Sequence, residues 1–202
     1  SGDATALQTA EASLQRYLAA LLDRSDMVFI PGGHVSIAGI RTNVPPFLID
    51  RTEVSIKEFK KFCLQATGGW PMPGELGDNV DAYANYPLTY AAWFDAQAYA
   101  AWSGKTLPTR EQWARAAYGN EDASELFPWG EEWKPGSANI QTQQSWEVDA
   151  CKDDRVASGC INMAGNVREW TRSMVMADNA KAPDFGDEMI VCGGSFLHAS
   201  HL

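Results

Sequence analysis

The sequence predicts an α+β domain in which a few short helices flank a small twisted antiparallel sheet and the C-terminal half is built mostly of loops. Three observations predict it. Two capping-box signatures, Ser55 with Glu58 and Thr109 with Gln112, each open a run of apolar residues at helical spacing. Short β-rich runs closed by proline and glycine fill residues 27–50. After Gly119 the helical period stops, yet the chain's eight tryptophans still need cover. Aromatic side chains bury about 150–250 Å² each, enough to organise a core made of loops.

Taken in order, residues 5–23 place Leu7, Leu14, Leu18 and Leu21 on one face beside Ala10 and Tyr17, the period of an amphipathic helix. This predicts a helical extension over residues 1–26 ahead of a single domain over 27–202. Met27-Val28-Phe29-Ile30 reads as a strand stopped by Pro31-Gly32-Gly33. Residues 34–37 alternate as a second strand would, so a hairpin-like start is expected. Phe47-Leu48-Ile49-Asp50, after two prolines, reads as another strand. Behind Ser55, the residues Ile56, Phe59, Phe62 and Cys63 predict a helix that ends at Gly68-Gly69. Residues 70–86 lack sustained periodicity and predict a long loop, a length that usually signals function. A helix over 93–103 is expected to turn Ala98, Ala101 and Trp102 inward, and the Thr109 cap opens one more helix through Trp113, Ala116 and Ala117.

Composition narrows the function. With 26 acidic and 16 basic residues the net charge is −10, and no basic stripe exists for a phosphate backbone, so a nucleic-acid partner is not expected. No apolar run approaches the roughly 20 residues of a membrane helix, so no membrane span is expected. The four cysteines, Cys63, Cys151, Cys160 and Cys192, form no CxxC pair. Cys151 and Cys160 are near enough in sequence to bridge, while Cys63 and Cys192 read as buried free thiols. The compartment stays open, with a periplasmic or extracellular setting favoured.

Several motifs then occur in a fixed order. They are Met27-Val28-Phe29-Ile30-Pro31-Gly32-Gly33, Asp50-Arg51-Thr52-Glu53-Val54-Ser55, Leu107-Pro108-Thr109-Arg110-Glu111-Gln112-Trp113, Phe127-Pro128-Trp129-Gly130, Ala138-Asn139-Ile140, Asn162-Met163-Ala164-Gly165-Asn166-Val167-Arg168-Glu169-Trp170 and Gly193-Gly194-Ser195-Phe196. The set resembles the formylglycine-generating enzyme, or sulfatase-modifying factor, superfamily from about residue 27 onward. The resemblance implies a modified C-type-lectin-like fold with little regular secondary structure. That fold hosts oxidases, accessory domains of bacterial kinases and secretion regulators, and the variable proteins of diversity-generating retroelements, so the fold leaves the function open.

Enzymes of the superfamily oxidise a substrate cysteine with copper held by a cysteine pair just after Gly-Gly-Ser, chemistry that suits soft thiolates. Here His198 stands at the first of those positions, and the second falls beyond Leu202. No catalytic residue and no copper are therefore expected. For calcium, the resemblance implies one site from Asn162, Gly165, Val167 and Glu169, two side-chain oxygens and two carbonyls that suit a hard cation once waters or other carbonyls complete roughly 6–8 ligands. A second would begin at Asn139 and Ile140, but the stretch after them is short and lacks the acidic loop, leaving water or a hydrogen-bonded turn as the alternative to a metal.

The expected function is a non-catalytic domain that binds a protein or small ligand on a calcium-braced scaffold, as a signalling or secretion accessory or a retroelement-diversified receptor. Its binding face is expected around Trp70, Tyr83, Tyr86, Trp146, Phe196 and His198. The alternative is a copper-dependent formylglycine-generating oxidase whose catalytic segment follows Leu202.

Overall fold

The computed structural model describes residues 26–74, 80–119, 127–130, 132–133, 135–151, 156, 158–175, 184 and 187–197. The helix expected over residues 5–23 lies outside the described residues, as do His198 and His201. Among the described residues no helix is long and apolar enough to cross a membrane.

Strand β1 (Met27–Ile30) alternates as its sequence predicts, with Val28 and Ile30 buried and Phe29 exposed. Its partner is not the next strand. Strands β2 (Gly33–Ile37) and β3 (Ile40–Val44) form the hairpin, while β1 pairs antiparallel with β4 (Phe47–Asp50) in the register Met27 to Asp50. The hairpin-like start expected from residues 27–37 is thus a hairpin nested between two paired outer strands. Pro31-Gly32 carries the chain out of β1, and the tight turn comes later, at Ala38-Gly39, where both residues have positive φ. Two left-handed residues match the right-handed twist of the flanking strands.

Helix α1 (Ile56–Gln65) starts with the predicted box: the Ser55 hydroxyl accepts from the Glu58 amide at 3.3 Å and the Glu58 carboxylate accepts from the Ser55 amide at 3.0 Å. It buries Ile56, Phe59 and Phe62. Helix α2 (Trp93–Trp102) buries Trp93, Tyr99 and Ala100, whereas Ala101 and Trp102 are exposed and Ala98 is half-buried. The expected inward face is therefore turned. Its orientation is fixed by the Trp93 indole, which donates to the Thr171 carbonyl at 2.8 Å, and by Tyr99, which stacks on Phe59 with centroids 5.6 Å apart. Helix α3 (Arg110–Tyr118) has its own box between Thr109 and Gln112 and ends in Gly119 at φ 66.

Two apolar clusters result. One surrounds α3, where Trp113, Ala114, Ala116 and Ala117 meet Val28, Ile30, Val35 and Val44 with Cys160 and Met163. The other joins α1 to α2 through Phe59, Phe62 and Tyr99. Strands β5 (Glu169–Met174) and β6 (Met189–Cys192) complete the regular structure as a third antiparallel pair. The described strands thus form three two-stranded sheets in place of one small sheet. None of the four cysteines is in a disulfide: Cys151 and Cys160 are buried, and Cys63 and Cys192 are half-buried.

Candidate metal centre

Residues 160–166 are all buried yet belong to no helix or strand. A loop in that position must find partners for its own amides and carbonyls, since each unpaired buried group costs about as much as a lost hydrogen bond. It finds them in distant segments. The Ile161 amide donates to the Arg51 carbonyl at 2.8 Å, the Asn166 amide to the Asn139 carbonyl at 2.8 Å, and the Phe196 amide to the Asn166 carbonyl at 2.8 Å. Gly165 passes so close to Asn139 that an added Cβ would sit 2.8 Å from its carbonyl oxygen, so only glycine fits. Asn162 and Asn166 hold left-handed φ of 64 and 66, a conformation asparagine tolerates better than most residues.

At the centre of this loop lies a carboxylate that the motif reading did not single out. Glu53 is buried, and its two oxygens accept one amide each, from Asn162 Nδ2 at 2.9 Å and from Asn166 Nδ2 at 2.9 Å. Asn166 is locked further, since its Oδ1 accepts from Asn139 Nδ2 at 2.9 Å and from the Trp146 amide at 2.8 Å. Glu169, at the start of β5, accepts the Trp113 indole at 2.7 Å. Burial pushes the Glu53 carboxyl up to about 8, helped by the Glu169 charge and opposed by the two asparagine amides. Burial likewise pushes Glu169 up to about 7, against the pull of the Trp113 hydrogen bond. Both carboxylates line a cleft of about 570 Å³ walled by Phe47, Ile49, Phe59 and Tyr99.

Among the described residues one buried side-chain polar atom has no hydrogen-bond partner, and it is Asn162 Oδ1. Asn162 is 2% exposed, so water cannot reach that oxygen freely. A desolvated oxygen with nothing to accept costs about 1–3 kcal/mol, and here it shares a loop with Gly165, Val167 and Glu169. The donor set is all oxygen, the chemistry that a hard cation takes. These residues fit a hard divalent cation. Asn139 and Ile140 do not fit one equally well. Asn139 is fully buried, but its Oδ1 accepts the Thr142 hydroxyl while its Nδ2 donates to the Gln144 carbonyl and to Asn166. There both ends of the Asn139 side chain are already used in hydrogen bonds.

The expected binding residues divide into two groups. Trp70 belongs to the α1–α2 cluster, its ring 5.4 Å from Phe62 and its indole donating to Asp95 at 3.0 Å. Tyr83 is 47% exposed and meets Tyr86 edge-on at 5.4 Å. The turn that carries them joins the next loop through the Val148 amide, which donates to the Asn85 carbonyl. That loop holds half-buried Trp146 and reaches Phe196, whose carbonyl accepts the Gln143 amide. Tyr83, Tyr86, Trp146 and Phe196 are thus linked through one hydrogen-bonded set of loops. Of the thiols, burial pushes Cys160 up to about 11 and Cys192 up to about 12.

Residues 18–202 match the sulfatase-modifying factor enzyme 1-like domain. The chain belongs to this family. It is 29% identical over 257 aligned positions to a formylglycine-generating enzyme of Thermomonospora curvata, covering 87% of this chain and 84% of that protein. It is 30% identical over 125 positions to the inactive C-alpha-formylglycine-generating enzyme 2 of Bos taurus, covering 54% of this chain but 40% of the bovine protein. The crystal structure of CarF shares the fold, with a TM-score of 0.66 and 19% identity over 87% of this chain and 89% of that one.

Raised carboxyl values give the metal-free protein a definite pH response. Between about 4.5 and about 8 the folded Glu53 holds a proton that the unfolded chain has released. Stability therefore falls as pH rises through that window. In the presence of a chelator the melting temperature is expected to decline from pH 5 to pH 8, and the decline is expected to flatten in Glu53→Gln. Thermal melts at several pH values check this; a melting temperature that climbs across the window contradicts it.

Proposed function

We propose that this domain is a non-catalytic binding module of the family, on a modified C-type-lectin-like scaffold braced by calcium. The carrying observation is the chemistry of its thiols. A nucleophilic or copper-binding cysteine acts as a thiolate and needs surroundings that lower its pKa. Cys160 and Cys192 are instead held protonated by burial, and His198 stands where the resemblance places the first catalytic cysteine. The bovine relative that carries the word inactive in its name supports the same reading, since it shows that chains of this family are described without the activity.

Calcium would be held by the Asn162 side-chain oxygen, the Glu169 carboxylate and the carbonyls of Gly165 and Val167. When bound it supplies positive charge to a buried, oxygen-rich loop. The chain's own residues do the rest. Trp113 orients Glu169, Gly165 permits the close pass by Asn139, and the asparagines set the left-handed turns. Loops hydrogen-bonded to this one directly or in turn carry Tyr83, Tyr86, Trp146 and Phe196, aromatic side chains of the kind that dominate binding surfaces. The domain boundary proposed from sequence, with a helical extension over residues 1–26, keeps this assembly within residues 27–202.

Two measurements test the proposal. Calcium at a hundredfold excess over its dissociation constant is expected to add about 2.7 kcal/mol of stability, and Glu169→Ala to abolish that gain. A chelator that leaves the parent's melting curve unmoved contradicts the calcium assignment. Purified protein supplied with copper and a cysteine-containing peptide is expected to yield no formylglycine by mass spectrometry, and its formation would overturn the non-catalytic reading.

A further inference from the structure

We propose that Glu53 is the positioning residue of the cation site, fixing which end of the Asn162 side-chain amide faces the ion. This rests on the calcium reading above and adds to it a residue that the motif resemblance does not assign. An amide has one oxygen end and one nitrogen end, and its orientation is set by what each end can bond. The Asn162 nitrogen donates to Glu53 Oε2 at 2.9 Å and to the Val148 carbonyl at 3.1 Å, while the oxygen has no hydrogen-bond partner. Two acceptors on one side thus direct the oxygen to the other. Asn162 is 2% exposed, so solvent does not compete for it.

Asn166 cannot turn in the same way. Its oxygen already accepts from Asn139 and from the Trp146 amide, so its nitrogen must face Glu53 Oε1. This asymmetry predicts what an isosteric change does. In Glu53→Gln one end of the new amide must accept from the immobile Asn166, so the other end, an NH₂, meets Asn162. Two NH₂ groups cannot bond each other. Asn162 then inverts, its oxygen accepts from Gln, and its nitrogen replaces the oxygen that would meet the cation.

Calorimetric titration of the 202-residue protein with calcium chloride at a pH above 8, where Glu53 is ionised and both its oxygens accept, tests this. The parent is expected to bind, and Glu53→Gln to bind about 10–100-fold more weakly, the usual scale for groups that orient a metal ligand. Phe62→Leu, a change within the α1–α2 apolar cluster, is expected to lower the melting temperature and leave calcium affinity unchanged, separating stability from positioning. Pairing Glu53→Gln with Asn162→Asp is expected to recover part of the affinity, because a carboxylate offers the cation an oxygen at either end while giving up the bond to the Val148 carbonyl. Parent-like affinity in Glu53→Gln, or a double variant no tighter than Glu53→Gln alone, overturns the positioning role while leaving calcium binding intact. A parent that binds no calcium overturns both. Should Glu53→Gln not fold, NMR of the parent decides: slowly exchanging Asn162 side-chain NH₂ protons close to the Glu53 methylenes support the clamp, and an NH₂ that exchanges like free asparagine overturns it.

Discussion

A buried carboxylate is costly unless the protein surrounds it with donors, and Glu53 meets that demand with two asparagine amides 109 and 113 residues further along the chain. The consequence is topological. The segment just after β4 is tied to the loop that leads into β5. Asn166 passes the constraint to Asn139 and Trp146 through its side chain and to Phe196 through its backbone carbonyl. Residues 160–166 thereby sit in the interior without the backbone ladder that normally permits burial.

Apolar packing and polar specificity are divided between parts of the molecule. The α3 cluster and the Phe59–Phe62–Tyr99 cluster remove large side chains from water and supply the driving force. Neither tells the loops where to go. That information lies in the polar network, which tolerates few alternatives because a half-satisfied buried network costs more than an apolar one. Trp113 connects the two, with its ring in the α3 cluster and its indole nitrogen on Glu169. The network leaves one oxygen, Asn162 Oδ1, unsatisfied, and that exception is where the candidate metal centre lies.

Sequence reading recovered what local chemistry encodes. Ser55 and Thr109 announce their helices because a capping box spans only three residues, and the alternation of Val28, Phe29 and Ile30 shows in four. It missed β3, where Ile40-Arg41-Thr42-Asn43 is mostly exposed and carries little apolar alternation, and β5, whose Glu-Trp-Thr-Arg-Ser-Met run mixes polar and apolar residues without a period. The helix α2 face was misread because its mean hydropathy is high all round, and long-range contacts to Thr171 and Phe59 choose the buried side. At the site, Asn162 and Glu169 were legible only through the ordered motifs. Glu53 lies within one of them, but a glutamate among Asp, Arg, Thr and Ser carries no local sign of burial. Its partners lie more than a hundred residues away, and no local pattern could have named them.

The buried carboxylate–asparagine network holds the loops as firmly as the helices are held. Native-state hydrogen exchange reads this directly, because amides that open locally exchange with a lower free energy than those that need global unfolding. The amides of Trp146, Asn166 and Phe196 are expected to exchange with the same opening free energy as the Trp113 and Ala117 amides of α3. Exchange of those three by local opening, well below the global value, would show that the network decorates the fold and does not hold it.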